Sequence, residues 1–200
     1  MKRARRRPLP PRPPAWSAGW YASARRVPRP NVGARPQGAA VTLAVIHSIS
    51  LPPGRYGGDA IERLFTNTLD PAAHPYFERL RGLEVSAHFL IRRDGALLQF
   101  APVDARAWHA GRSSWRGVAN CNDYSLGIEL EGLEGCRFEA AQYRALARLL
   151  QSALPHWPLR EAVGHEHIAP GRKGDPGPGF DWARLRRLLR GCRLPCGGDV

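Results

Sequence analysis

His47, His165 and Asp175 are the side chains whose types and settings best suit metal chemistry in this sequence. His47 ends the apolar run Val41-Thr42-Leu43-Ala44-Val45-Ile46, and His165 follows Ala162-Val163-Gly164, whose glycine permits a close backbone approach. Asp175 comes ten residues later, and Pro170, Gly171, Gly174 and Pro176 let the chain double back and bring its carboxylate beside His165. Two histidines and one carboxylate from separate elements make a zinc set that leaves a fourth position open to water. The spacing is not the compact H-E-x-x-H pattern, so each residue keeps a plainer reading, His47 as a satisfied polar group at a core edge.

Zinc brings the pKa of its water to about 7 and polarises a carbonyl, but hydrolysis also needs a proton acceptor and a group to hold the oxyanion. Glu129 is a candidate base, and on pattern alone Glu131 is an equal claimant. Lys173 lies two residues before Asp175; in an extended loop the two side chains point the same way, which would set an ammonium beside the metal. The plain reading of all three is surface charge. Trp108 and His109 suit a groove wall, where an indole face stacks on a sugar or acyl chain and an imidazole donates a hydrogen bond. Core packing and a surface hydrogen bond are the alternatives. His88, flanked by strand residues, reads as structural, and His74 and His156 sit beside prolines with nothing to single them out.

The elements that must position these residues follow from hydrophobic period and turn signals. Val41 to Ile46 reads as a strand buried on both faces. Pro52-Pro53-Gly54 and Gly57-Gly58 mark a loop, and Asp59 caps a helix with Ile61, Leu64 and Phe65 on one face. A second short helix runs from Pro75 through Leu80. Val85 to Ile91 is a strand, Asp94-Gly95 a hairpin turn, and Ala96 to Phe100 its partner. Ser125 to Glu131 alternates, with Leu126, Ile128 and Leu130 on a buried face and the two glutamates on an open one. Residues 139–152 have helical spacing closed by Pro155 and Pro158. The last helix starts at Asp181, buries Trp182, Leu185, Leu188 and Leu189, and stops at Gly191. The class is α/β, a mixed central sheet flanked by helices.

Composition bounds the rest. Two hundred residues with 43% apolar content suit one domain plus a tail. The net charge of +13 invites a nucleic-acid reading, but residues 1–30 supply nine of those charges, from Lys2, Arg3, Arg5, Arg6, Arg7, Arg12, Arg25, Arg26 and Arg29 with no acid among them. The proline-rich start offers few apolar side chains to offset ordering entropy, so residues 1–18 read as a disordered tail, 19–191 as the domain and 192–200 as a frayed end. No apolar run spans a bilayer and no secretory signal is visible, which leads us to expect a cytoplasmic protein. Cys121, Cys136, Cys192 and Cys196 contain no C-x-x-C pair and read as free thiols.

Five segments together resemble a known family: Val45-Ile46-His47-Ser48-Ile49-Ser50-Leu51-Pro52-Pro53-Gly54, residues 85–95, Ala107-Trp108-His109-Ala110-Gly111, residues 121–132, and Gly164-His165 through Asp175-Pro176-Gly177-Pro178. They are similar, in matching order from about Gly19-Trp20 to Trp182, to the cytosolic 1,6-anhydro-N-acetylmuramyl-L-alanine amidases of Gram-negative bacteria. These are a branch of the zinc amidases that include phage lysozyme-type enzymes and peptidoglycan recognition proteins. The resemblance implies a zinc ion in a surface groove held by His47, His165 and Asp175, and it selects Glu129 over Glu131 as the base. It gives Lys173 the tetrahedral intermediate to stabilise. The implied reaction cleaves the amide joining the muramyl lactyl group to the first alanine of the stem peptide.

Some positions depart from the family. Ser48 stands where an asparagine is usual, and Glu84 and Asn120 stand where arginines are common near the stem-peptide end, which bears on peptide selectivity rather than metal chemistry. The segment Glu166-His167-Ile168-Ala169-Pro170-Gly171 also differs, and His167 is read as a loop residue beside the ligand. The partner expected is a small-molecule muropeptide, with neither nucleic acid nor membrane required, and the protein is most simply a monomer. A non-catalytic muropeptide-binding module of the same fold is the alternative; loss of a ligand would favour it, and none is lost. A third reading, nucleic-acid association through the basic arm, predicts salt-dependent binding abolished by deleting residues 1–18.

Overall fold

The structure is a computed structural model that describes residues 15–27 and 30–197. In chain order its main sheet contains β1 (Arg25–Arg26), β2 (Leu43–Ile49), β3 (Phe89–Ile91), β4 (Leu97–Gln99), β5 (Ser125–Glu131) and β6 (Glu161–Gly164). In space they run β6-β2-β5-β3-β4-β1. Strands β6, β2, β5 and β3 are parallel, β4 turns back antiparallel to β3, and β1 lies parallel to β4. The α-helices are α1 (Ala60–Phe65), α2 (Pro75–Glu78), α3 (Ala140–Ala153), α4 (His165–Ile168) and α5 (Trp182–Leu188). This is the mixed sheet with flanking helices that the patterning predicts.

Alternation along the central strands sends side chains to two different layers. Leu126, Ile128 and Leu130 of β5, with Ala44 and Ile46 of β2, pack on Tyr143, Leu146, Leu149 and Leu150 of α3. Fully burying one such leucine or isoleucine stabilises by about 1.5–3 kcal/mol, and Leu146→Ala would cost about 2–5 kcal/mol. A reciprocal cap starts α3, with Glu139 N–H donating to Gln142 Oε1 at 2.9 Å. The Gln142 amide nitrogen then donates to Ile91 O and Glu131 O, which ties the helix start to the ends of β3 and β5. On the opposite layer α1 and α2 contribute Ile61, Leu64, Phe65 and Phe77 to a second apolar cluster with Leu51, Leu90 and Phe100.

Several expectations are corrected. β5 is buried along its whole length, not open on its glutamate face, because it is central in the sheet and covered on both sides. The expected strand from Val85 is regular only over Phe89–Ile91; the N–H groups of residues 86 and 88 donate to Trp108 O and Gly127 O before it begins. Asp59 precedes α1, yet its carboxylate pairs with Arg63 at 2.7 Å instead of capping. Asp181 does cap α5, accepting from Arg184 N–H at 2.7 Å, and Gly191 takes the left-handed φ of +88° that follows its last turn. Leu188 is exposed, not buried.

Both domain edges also move. Residues 1–14 of the expected tail lie outside the described residues, but Trp16 is buried: its ring stacks on Tyr21 and its Nε1–H donates to Ser152 O at 2.9 Å. At the other end Leu194 and Cys196 are buried, and Ala162 N–H bonds Pro195 O beside β6, so the chain packs through residue 197 and does not fray at 192. The four cysteines are free thiols, as expected.

Candidate metal centre

The parallel register places His47 of β2 directly beside Glu129 of β5, and Gly164 of β6 beside Ile46. His165, the first residue of α4, therefore emerges next to His47 at the carboxyl ends of three adjacent strands. Both imidazoles are buried. Asp175 arrives from the glycine- and proline-rich loop, which is anchored where Glu166 N–H donates to Asp175 O and Lys173 N–H to Ala169 O.

The three side chains converge as the sequence predicts. His47 Nδ1 lies 2.9 Å from His165 Nδ1 and 3.3 Å from Asp175 Oδ2, and His165 Nδ1 lies 3.2 Å from the same carboxylate. Tetrahedral bonds of about 2.0–2.1 Å set donor atoms roughly 3.3 Å apart, so this donor set fits a zinc-sized ion. The electrostatics agree. Burial, with the neighbouring His165 and Lys173, lowers the His47 pKa to about 4. Burial pushes Asp175 the other way, but hydrogen bonds from His165 and His47 outweigh it and hold the carboxyl well below its usual range. A neutral imidazole beside an ionised carboxylate is the protonation state a divalent cation requires.

The far ring nitrogens are engaged as well. His165 Nε2 sits 3.2 Å from Ala110 O, and His47 Nε2 sits 2.9 Å from His109 Nδ1. His109 and Ala110 are held by their N–H groups, both donating to the buried Asn122 Oδ1 at 3.0 and 2.8 Å.

Glu129 faces the same space. Its Oε2 is buried without a hydrogen-bond partner, and burial together with the Asp175 charge raises its pKa well above the usual carboxylate value, with Lys173 opposing. Glu131 points the same way but is occupied: Arg92 Nη1 at 2.8 Å, Gly57 N–H at 2.7 Å and Arg93 N–H at 3.3 Å all donate to it. Lys173 lines the cavity wall beside Asp175.

These groups open into a groove of about 490 Å³. Leu64, Leu80, Leu83 and Trp108 supply apolar wall, and Ser48 and Glu134 supply polar rim. Trp108 is 38% exposed, with one face of its indole covered by the Arg106 guanidinium at 4.2 Å. His88 is fully buried away from the groove, and His167 Nδ1 accepts from Gly164 N–H at 2.8 Å, a role within its own turn. Sequence reasoning missed Asn122, Ser125 and Gly127, which surround His109. The lone glycine inside the apolar strand β5 is the signal that pointed there, since glycine in a strand marks a close approach.

Comparison with known proteins gives this geometry a context. Residues 37–178 match the family described as N-acetylmuramoyl-L-alanine amidase. The chain is 53% identical over 173 residues, 86% of this chain and 92% of the relative, to the 1,6-anhydro-N-acetylmuramyl-L-alanine amidase AmpD of Citrobacter freundii. A crystal structure of a selenomethionine AmpD derivative superimposes with a TM-score of 0.85 at 52% identity, covering 86% of this chain and 98% of that one. The Escherichia coli amidase AmiD, solved with anhydro-N-acetylmuramic acid-L-Ala-D-γ-Glu-L-Lys, gives a TM-score of 0.55 at 29% identity, covering 77% of this chain and 60% of that one.

Proposed function

Because the chain belongs to the N-acetylmuramoyl-L-alanine amidase family, we propose that it hydrolyses its substrate with a zinc ion held by His47, His165 and Asp175. It is an amidase of peptidoglycan recycling, cleaving the amide between 1,6-anhydro-N-acetylmuramic acid and the L-alanine of the stem peptide. When bound, the zinc supplies Lewis acidity, lowering the pKa of water to about 7 and polarising the carbonyl.

The remaining steps belong to this chain's side chains. Glu129 Oε2, the unpartnered buried oxygen, takes the proton from the attacking water, and its raised pKa brings its basicity toward neutral pH. As the lactyl carbonyl becomes tetrahedral, the Lys173 ammonium stabilises the developing oxyanion. Glu129 then delivers its proton to the alanine nitrogen, the C–N bond breaks, and a lactyl carboxylate and a free amine leave. Trp108 offers its uncovered face and His109 a ring edge to the substrate in the groove. The muropeptide is a small-molecule partner, and a monomer suffices, since every group named lies on one chain. We place the reaction in the cytoplasm; among the described residues no helix is long and apolar enough to cross a membrane.

The observation that carries this reading is the convergence of two imidazoles and an ionised carboxylate beside a carboxylate oxygen with no other partner. Incubating the protein with an anhydro-muropeptide and following free stem peptide by mass spectrometry tests it. Release that a chelator abolishes and zinc restores is expected. No release by the zinc-loaded protein, or undiminished release by Asp175→Ala, would overturn it.

A further inference from the structure

Resting on the metal-centre reading above, we infer that His109 is a positioning residue: it accepts a hydrogen bond from His47 Nε2–H and so fixes the tautomer in which His47 Nδ1 is free to bind the metal. The chain of contacts dictates the proton positions. His47 turns Nδ1 toward His165 and Asp175, so a ligating His47 is neutral with its proton on Nε2. That proton faces His109 Nδ1 at 2.9 Å, which must then be the acceptor. His109 consequently carries its own proton on Nε2, and that nitrogen lies 3.2 Å from Ser125 Oγ, a hydroxyl free to accept it. Reversing His109 would place a proton on Nδ1, make His47 Nε2 the acceptor, and put the His47 proton on the metal-facing nitrogen.

The fold is shaped around this relay. Gly127, between Ser125 and Glu129 on β5, has an ordinary backbone conformation, but a β-carbon there would overlap the His109 ring. The Asn122 side chain holds the backbone of His109 from the other side. His165 is oriented by a backbone carbonyl, Ala110 O, whereas His47 depends on a side chain, which makes the His47 contact open to substitution. Partners of this kind fix ligand orientation, and losing one weakens metal binding by about 10–100-fold.

The test measures zinc affinity of the metal-free protein by competition with a chromophoric chelator, alongside the visible spectrum of the cobalt-substituted form. His109→Phe keeps a ring without an acceptor; His109→Asn keeps an acceptor near the Nδ1 position. The expected result is zinc binding weakened roughly 10–100-fold and an altered cobalt spectrum in His109→Phe, with most of the affinity recovered in His109→Asn. Equal affinity in His109→Phe and wild type, or equal losses in both variants, would overturn the inference. Should His109→Phe fail to fold, Ser125→Ala carries the test: weakening of about threefold or more supports the relay, and unchanged affinity overturns it. Wild-type protein that binds no zinc would instead remove the metal centre itself, a failure distinct from that of the relay.

Discussion

Glu131 lies two residues beyond Glu129 on the same side of β5, yet only Glu131 is tied down. Three donors, one of them the Arg92 guanidinium that also bonds Gly58 O and Glu62, clamp Glu131 to the 57–62 segment, while Glu129 keeps a bare oxygen over the groove.

Substitution should therefore separate chemistry from stability at these two positions. Glu129→Gln is expected to lower kcat by about 10²–10⁴ with little loss of fold, since it removes the proton acceptor and a costly buried charge together. Glu131→Gln removes the charge that Arg92 and two backbone N–H groups bond, leaving Arg92 with Glu62 and Gly58 O, and should cost about 1.5–3 kcal/mol in urea unfolding while metal binding persists. Full activity in Glu129→Gln would remove it as the base.

Metal removal should act on stability as well as turnover, because the ion binds only the folded donor set. Zinc at about 100 times its Kd adds ~2.7 kcal/mol, which for a chain of this length raises Tm by roughly 5–10 °C. Calorimetry with and without chelator measures this, and Asp175→Ala should erase most of the difference. An equal zinc shift in wild type and variant would place the ion elsewhere.

A pH dependence of stability follows from His88, fully buried just before β3. Its Nδ1 accepts from Gly127 N–H at 3.0 Å, so its Nε2 proton donates to Ala105 O, and a second proton would meet the Gly127 donor. Burial and the Arg35 charge lower its pKa to about 3. The unfolded chain takes up a proton near pH 6.5 that the folded protein refuses, so this contribution is constant above pH 6.5 and is lost as pH falls toward 3. Relative to His88→Gln, metal-free wild type should lose ~2 kcal/mol between pH 7 and pH 5 in urea titrations. A pH-independent difference would contradict this.

Trp108 should affect substrate rather than metal. Its one free indole face stacks on a bound ligand at a gain of about 0.5–1.5 kcal/mol, so Trp108→Ala is expected to reduce kcat/KM by roughly 2–10-fold, with Trp108→Phe close to wild type and zinc affinity unchanged. Altered zinc affinity in Trp108→Ala would show that the residue shapes the centre instead.

The two histidines of the metal set were legible because each adjoins a short apolar run that forms a strand, and Asp175 because the glycines and prolines between it and His165 announce a reversal of the chain, although β2 continues past His47 to Ile49. What patterning could not supply were partners distant in sequence. Glu129 and Glu131 look alike until Arg92 is brought against one of them. The glutamate face of β5 reads as open since alternation reports polarity, not whether distant loops, here those carrying Gly57 and Asp175, fold over it. Leu188 has the spacing of a core residue, but Leu185 and Leu189 fill the buried side of that turn and leave the Leu188 side chain exposed. His109 reads as groove lining; that both its nitrogens are spoken for depends on a missing side chain at Gly127, eighteen residues away.

The pairing of His47 with Glu129 across β2 and β5 also decides how this protein fails. These residues are rungs of the innermost ladder, so their amide protons should exchange with solvent only when the whole domain opens. A mutation elsewhere that lowers stability will then leave each surviving molecule fully competent and simply reduce how many there are. Loss of function by destabilisation should show as a fall in active-site titre at constant turnover per active site.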